Sequence, residues 1–563
     1  MTTLVAPDLD RRPTSSGSRG GTLTGTRTVL RLAIRRDRIK LPVWLLALMT
    51  YHLVGARGVL SLYPHESDRV KLAVSSAASS VAVVFNGLVS GTSPGAAVMS
   101  QTLLPMAIGA AFMNLLLVVR HTRQNEETGR QELLAAAVLG RRASLAAALL
   151  LALAADLVLA VLNVLALVGA GLPTGSSVLA ALAISACGFV FAAIAAVAAQ
   201  VWEGARTAAA STAVLLGVSF LLRSAGDTTG HLIGHGTSIV AGWPTSVSPL
   251  GWAELTRPFD ADRWVWLLPG LLAAVALAAL AFALEDRRDV GAGLFPSRPG
   301  PPRAVARLTT PVGLAWRLQR ASVLGWLAGL LVTAGATGAS ASQADDLIGS
   351  SKGSEQTIRD LAGGGTASLA DAYVGATLAF IGVAVAAFGL LTVLRLHTEE
   401  TEGRAEAVLA TGVSRTRWAT ATVLVTAVSM LAVLVACGAV AGAAWTLTSD
   451  VGPGEVGRVT AAALAQAPVA LAVAALGVFA FGVAGRAAAT VSWALFAACV
   501  VLGPLGALLG VPDAVADLSP FTHAPAAPAA VVHVLPETVL CLVALLLAGL
   551  GILAFRRRDL DTR

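Results

Sequence analysis

Charge is scarce in this chain. Only 13% of its 563 residues are Asp, Glu, Lys or Arg, while 56% are hydrophobic; soluble domains carry roughly a quarter charged. That deficit excludes an ordinary water-soluble domain. Lysine is almost missing: Lys40, Lys71 and Lys352 are the only ones, and arginine supplies the rest of the positive charge. Arginine with abundant alanine suits a high-GC genome. Cysteine is equally sparse. Cys187, Cys437, Cys499 and Cys541 each sit inside an apolar run, with no CxxC spacing. Disulfide and zinc roles are therefore not expected, and small packing residues are. No GxxxxGK[ST] occurs, so the chain has no P-loop for ATP. No HExxH occurs, and Gly217-Val218-Ser219-Phe220 lacks the second glycine of a serine elbow. An intramembrane enzyme is thereby disfavoured, and His52, His231 and His235 read as structural residues near one membrane face. Apolar sequence begins only near Leu41, so a cleavable signal peptide is not expected.

Several apolar runs reach the roughly 20 residues that span a bilayer. The expected fold is an all-α polytopic membrane protein of about twelve transmembrane helices, because helices satisfy their own backbone in lipid. The spans fall at about 41–60, 100–119, 144–171, 176–199, 207–224, 264–284, 322–340, 372–394, 417–447, 459–484, 488–510 and 536–555. Residues 61–98 are too rich in Ser and Gly for a span and read as short surface helices.

The plan repeats. Arg35, Arg38 and Trp44 match Arg317, Arg320 and Trp326 at an offset of 282; Ser248-Pro249 matches Ser519-Pro520 at 271; Arg288-Asp289 matches Arg558-Asp559 at 270. This predicts two tandem six-helix halves in the same orientation, a parallel pseudo-twofold repeat. The expected divisions are a disordered tail 1–21, a first half 22–289, a linker 290–310 and a second half 311–563. Each half opens with an Arg-bearing amphipathic elbow.

The net charge of +7 needs no nucleic acid, because most basic residues lie in loops on one predicted side. By the positive-inside rule that side is cytoplasmic, with both termini there.

Two polar islands stand out, at an offset of 274. Glu126–Arg142 reads EETGRQELLAAAVLGRR, and Glu400–Thr416 reads ETEGRAEAVLATGVSRT. Both hold Glu-x-x-Gly-Arg-x-Glu: Glu126, Gly129, Arg130 and Glu132, then Glu400, Gly403, Arg404 and Glu406. Arg141 and Arg415 follow. Glu126–Arg130 and Glu400–Arg404 have the favoured i,i+4 order in a helix. The intervening glycines disfavour a helix by about 1 kcal/mol each, which implies a bend or a close backbone contact. Apolar Leu133, Leu134 and Val138, and Val408, Leu409 and Val413, give each island a greasy side. Docking of a partner fits this better than an inert loop.

Twelve spans in two tandem halves, each with an elbow and a cytoplasmic helix between its second and third spans, resemble the permease of an ABC-2-type exporter. E-x-x-G-R-x-E, Ser248-Pro249-Leu250-Gly251-Trp252 and the run Arg287–Gly293 look like the actinobacterial tetronasin or polyketide-antibiotic export permeases, over nearly the whole chain. The resemblance implies that the islands are coupling helices seated on separate ATPase subunits. Glu126, Glu127, Gly129, Arg130, Glu132 and Arg141 would face one. Glu400, Glu402, Gly403, Arg404, Glu406 and Arg415 would face the other. ATP and Mg would belong to those partners, with no cofactor or metal on this chain. The implied function is outward movement of a hydrophobic drug, antibiotic or lipid across the plasma membrane. Ser519-Pro520-Phe521-Thr522-His523 lacks Gly-Trp, and Arg558-Asp559-Leu560-Asp561 lacks Gly-Ala-Gly, so the halves are not expected to do equal work.

A proton-coupled major-facilitator transporter also has six plus six spans. Its loop motif needs basic residues where Glu127, Gln131 and Ala405 stand, and its spans normally hold carboxylates. The one carboxylate expected deep in a span is Asp156, with Asn163 on the same face. Asp156, Asn163 and Gln466, the last beside Pro468, are the candidates for lining a substrate path.

Overall fold

In a computed structural model, the described residues are 21–130, 139–289, 291–295, 300, 302–303, 305–343, 368–504, 506 and 512–560. Their structure is all-α apart from one short antiparallel ribbon, β1 (His231–Ile233) with β2 (Ser238–Val240). The chain divides into two compact units, Met1–Pro299 and Gly300–Arg563.

The first unit runs through α1 (Thr26–Arg36), α2 (Lys40–Leu62), α3 (Glu66–Ala78), α4 (Ser80–Asn86), α5 (Pro94–His121), α6 (Arg123–Glu127), α7 (Ala143–Gly169), α8 (Thr174–Val201), α9 (Ala205–Thr228), α10 (Pro249–Leu255) and α11 (Leu267–Glu285). The second runs through α12 (Pro311–Ser340), α13 (Leu369–Val393), α14 (Arg395–Thr401), α15 (Arg404–Leu409), α16 (Arg415–Thr448), α17 (Gly454–Leu464), α18 (Ala467–Ala484), α19 (Ala488–Leu502) and α20 (Val534–Arg557).

Among the described residues, eleven helices are long and apolar enough to cross a membrane, and the protein is a multi-pass membrane protein. One of the eleven, Gly454–Leu502, has 49 residues. Straight, it would be about 70 Å long, more than twice the bilayer core of about 30 Å. It is not straight, since the backbone breaks at Gly485 (φ 51, ψ -117). The tenth and eleventh expected spans lie on either side of that break.

Local sequence sets the helix starts. Ser93, Ser368 and Ser414 accept from the backbone N–H groups of Ala96, Asp371 and Arg417, and Thr310 accepts from Gly313 with Pro311 in the first turn. These side chains satisfy donors that a helix leaves unpaired. Between helices, small residues permit close approach. Gly482 of α18 lies against the backbone of Gly551 in α20, so that an added Cβ would collide with the Gly551 carbonyl oxygen.

The elbow differs between units. In the first, α1 stops at Asp37, whose buried carboxylate pairs with Arg120 (2.7 Å) and His121 (2.5 Å) at the end of α5. In the second, Gln319 stands at the matching place and bonds the Thr422 carbonyl at 3.3 Å. No break follows, and α12 is a single 30-residue helix. The separate second elbow expected at 311–320 is therefore the first turns of α12.

Residues 66–86 form the two short helices expected there, at the end of the first unit away from its island. The buried Arg223 of α9 ties them down, donating to the Val83 carbonyl (3.0 Å) and to Asp227 (3.0 Å), with Glu254 of α10 at 3.4 Å.

Candidate functional site

Each island begins where a long helix ends. In the first unit α5 leads through Thr122 into α6, and the backbone turns at Gly129 with φ 69. In the second, α13 leads into α14, and Gly403 turns with φ 74 before α15. A Cβ at either glycine would meet nothing within 4 Å. Glycine is used here for its left-handed backbone and not for close approach. The bend is the realised alternative.

The leading glutamates turn inward rather than along the helix. Glu126 accepts both ends of the Arg288 guanidinium, Nη1 at 2.8 Å and Nη2 at 2.5 Å. Glu400 accepts both ends of Arg558, at 2.8 and 2.6 Å. Paired forks of this kind are the strong charge-assisted type. The two repeated motifs, Glu-x-x-Gly-Arg and Arg-Asp, thus meet in each unit and clasp the island to the C-terminal end of the last span.

Further bonds complete each clasp. Arg141 donates to the Glu285 carbonyl (2.8 Å) and to the Arg288 carbonyl; Arg415 donates to the Arg558 carbonyl (2.6 Å). These are carbonyls at a helix C-terminus, where acceptors lack intrahelical partners and cations are favoured. Arg288 also donates to Gln200 of α8 (2.6 Å), and Arg123 donates to Glu126 (2.5 Å) and the Ala292 carbonyl (2.9 Å). Arg558 donates to the Phe481 carbonyl of α18 (3.3 Å) and stacks over the Phe481 and Phe555 rings, 5.2 and 5.3 Å from their centroids. Each arginine thereby joins three pieces: the island, the fourth span of its unit, and the last.

What remains on the surface is a shorter set. Glu127 is exposed, and its carboxylate accepts the Ala205 N–H at 3.2 Å, at the start of α9. Arg130 is exposed. So are Glu402, Arg404 and Glu406, with Arg404 paired to Glu399 at 2.8 Å and to Glu402. Of the expected docking residues, Glu126, Glu400, Arg141 and Arg415 are used within the chain. Glu132 lies outside the described residues.

Just after α11, Asp286 pairs with Arg142, whose hydrogen bond holds the Asp286 carboxyl below its ordinary range. At Asp37, burial pushes the carboxyl up. The hydrogen bond and charge of His121, with Arg120 and Arg36, more than offset this and leave it below the ordinary range.

Each of the three expected path residues has its own partners within its unit. Asp156 of α7 accepts from Asn114 of α5 at 2.8 Å, and its carbonyl accepts from Ser185 of α8 at 2.9 Å. Asn163 lies 3.0 Å from the ring of His52, which is fully buried in the middle of α2 rather than near a membrane face. Gln466, in the other unit, donates to the Pro525 carbonyl at 2.8 Å.

Over 551 residues the chain is 38% identical to the multidrug efflux system permease protein Rv1217c of Mycobacterium tuberculosis, an alignment covering 96% of both chains. The chain belongs to that permease family. Residues 308–556 also match the family model described as the C-terminal domain of multidrug efflux system permease Rv1217c. This segment holds Glu400 and the whole of α20 up to Arg556, so it takes in one side of the second clasp and ends two residues short of Arg558.

Arg288 and Arg558 are the members of the candidate site that the sequence motifs did not single out as such. Their signal was present. Glu126 and Arg288 are 162 residues apart, and Glu400 and Arg558 are 158 apart. Two motifs that recur together at nearly one spacing are candidates for mutual contact. Arg123, Gln200 and Phe481 carried no such signal.

Proposed function

We propose that this chain is the membrane permease of an ATP-driven exporter of the ABC-2 type. It moves a hydrophobic drug, antibiotic or lipid outward across the plasma membrane, with both termini in the cytoplasm. The observation that carries this reading is the repeated clasp. Each unit presents one bent island at a helix end, rigidly joined to its last span by a bidentate Arg–Glu pair. A displacement applied to such an island is passed to three spans at once. The chain has no P-loop, so energy enters from a partner, and two islands call for two ATPase subunits that bind ATP and Mg. Kinship with a multidrug efflux permease supports the direction and the drug-like cargo. The chain itself is then a transport subunit and not an enzyme.

In this reading Arg130, Glu402, Arg404 and Glu406 face the ATPases. Glu126, Glu400, Arg141 and Arg415 act as positioning residues behind them. The test is co-purification of a co-expressed ABC ATPase with the permease. Reversal of Glu402 and Glu406 to Lys is expected to abolish capture at the second island, and Arg130→Glu to weaken it at the first. Unchanged capture by all three variants, or no capture by the unmutated permease, refutes the docking assignment.

A further inference from the structure

The Ser-Pro loops anchor alike in the two units and then part company. Ser248 Oγ donates to the Ser219 carbonyl, and Ser519 Oγ donates to the Cys499 carbonyl, both at 2.7 Å. In the first unit Trp252 follows, and the space it leaves beside Trp266, Leu267 and Cys187 is only about 10 Å³. In the second unit His523 takes the place of Trp252 and Glu537 that of Leu267, by the repeat offsets of 271 and 270. There a cavity of about 570 Å³ opens. Ligand sites for drug-sized molecules typically measure ~300–1,000 Å³.

The cavity lies at the end of the second unit away from its island, since Glu537 is in the first turn of α20 and Arg558 just beyond its end. Its walls are mostly apolar, with Phe380 and Val383 from α13, Phe521 from the loop and Pro536 from α20, and they also carry Thr522, His523 and His533. No Lys or Arg is among the described lining residues. Glu537 Oε2 is buried and has no hydrogen-bond partner among the described residues. The ring of His523 is engaged elsewhere, its Nε2 donating to the Asp517 carbonyl at 3.0 Å. Gln466 holds the wall in shape through the Pro525 carbonyl. An acceptor left unpaired beside apolar walls is costly. A cation with an apolar body answers both the carboxylate and the aromatic faces.

We propose that this cavity binds a lipophilic organic cation, its charge against Glu537 and its apolar body against Phe380 and Phe521. The inference deepens the export reading by naming a substrate class. Binding to the isolated permease needs no ATPase, so the two readings fail separately. The probe is tetraphenylphosphonium, with its anionic isostere tetraphenylborate as control, measured on the full-length permease in phosphatidylcholine nanodiscs with an ion-selective electrode. Saturable binding of the cation is expected, weakened about tenfold by Glu537→Gln. Ala379→Trp, which fills the cavity without changing charge, is expected to abolish it, and Glu537→Asp to retain most of it. Tetraphenylborate uptake should be the same in all variants. Thermal unfolding checks that each is folded; if Glu537→Gln is not, Glu537→Asp and Ala379→Trp carry the test. Cation binding no greater than that of empty nanodiscs overturns the proposal. Wild-type affinity in both Glu537→Gln and Ala379→Trp does so too. Loss in Ala379→Trp alone overturns the charge recognition.

Discussion

Replacing Glu400 by Gln keeps the size of the side chain and removes the charge that faces Arg558. One oxygen is left to accept where two accepted at 2.8 and 2.6 Å, and an amide N–H₂ is turned toward the guanidinium. Removing one partner of a fully buried ion pair costs about 3–5 kcal/mol. The Glu400 side chain is 2% exposed, but that of Arg558 is 19% exposed. Water therefore takes up part of the loss, and we expect about 2–3 kcal/mol. Arg558→Gln should cost a similar amount or more, because it also gives up the stacking on Phe481 and Phe555. If the two residues act as one clasp, the double variant costs less than the sum by about 1.5 kcal/mol or more. The assay is unfolding of the full-length permease in mixed micelles across the four-member cycle, read by tryptophan fluorescence, since Trp418 stacks on Phe555 at 5.8 Å. Additivity within about 0.5 kcal/mol would show that the pair does not hold the island, and would remove the reason to regard the island and α20 as one moving part.

Gly129→Ala and Gly403→Ala place a Cβ at φ 69 and 74, at about 1–2 kcal/mol each; the Asn variants should cost less, and differential melting of the four proteins checks the order. The Asp37 carboxyl is held below its ordinary range, so its contribution is fully present above pH about 4 and is lost as pH falls through the depressed folded value. Asp37→Asn should lower the melting temperature at neutral and alkaline pH and flatten the acid limb of the profile, converging on the parent as pH falls. Burial pushes the Glu254 carboxyl well above its ordinary range, which carries the opposite sign: stability is full below the ordinary value and falls as pH rises toward the folded one. Glu254→Gln should therefore match the parent at low pH and exceed it at high pH in the same profile. Gly482→Val sets a side chain against the backbone of Gly551 and should lower the melting temperature by several degrees, while Gly457→Val, where nothing lies within 4 Å, should not.

The all-α, multi-pass character was legible in the sequence because lipid imposes a length and an apolar composition on every crossing. The break at Gly485 was legible as a gap between two spans. Orientation of individual side chains was not. The i,i+4 spacing of Glu126 with Arg130 describes a continuous helix, and Gly129 ends that helix before the pair can form. The carboxylate is then free to reach Arg288, a contact across 162 residues that no local rule encodes. The second elbow was misplaced for a related reason. Arg35 and Arg38 recur as Arg317 and Arg320, but the stop in the first unit depends on Asp37, and Gln319 does not reproduce it. Asp156 and Asn163 share a face of α7 as expected, yet each is met by a different helix, through Asn114 and His52. The repeat pattern showed that the Ser-Pro loops differ; the cavity that follows from Trp252 against His523 required the fold.

The source of energy is the most direct point at which to test the account. Permease and ABC ATPase, reconstituted together in liposomes, should concentrate a fluorescent lipophilic drug in the vesicles that present the ATPase to the medium. Uptake should require both Mg-ATP and the ATPase subunit, and should fall with Glu402 and Glu406 reversed to Lys. Uptake by the permease alone, driven by an imposed proton gradient without ATP, would contradict the account and identify a secondary transporter.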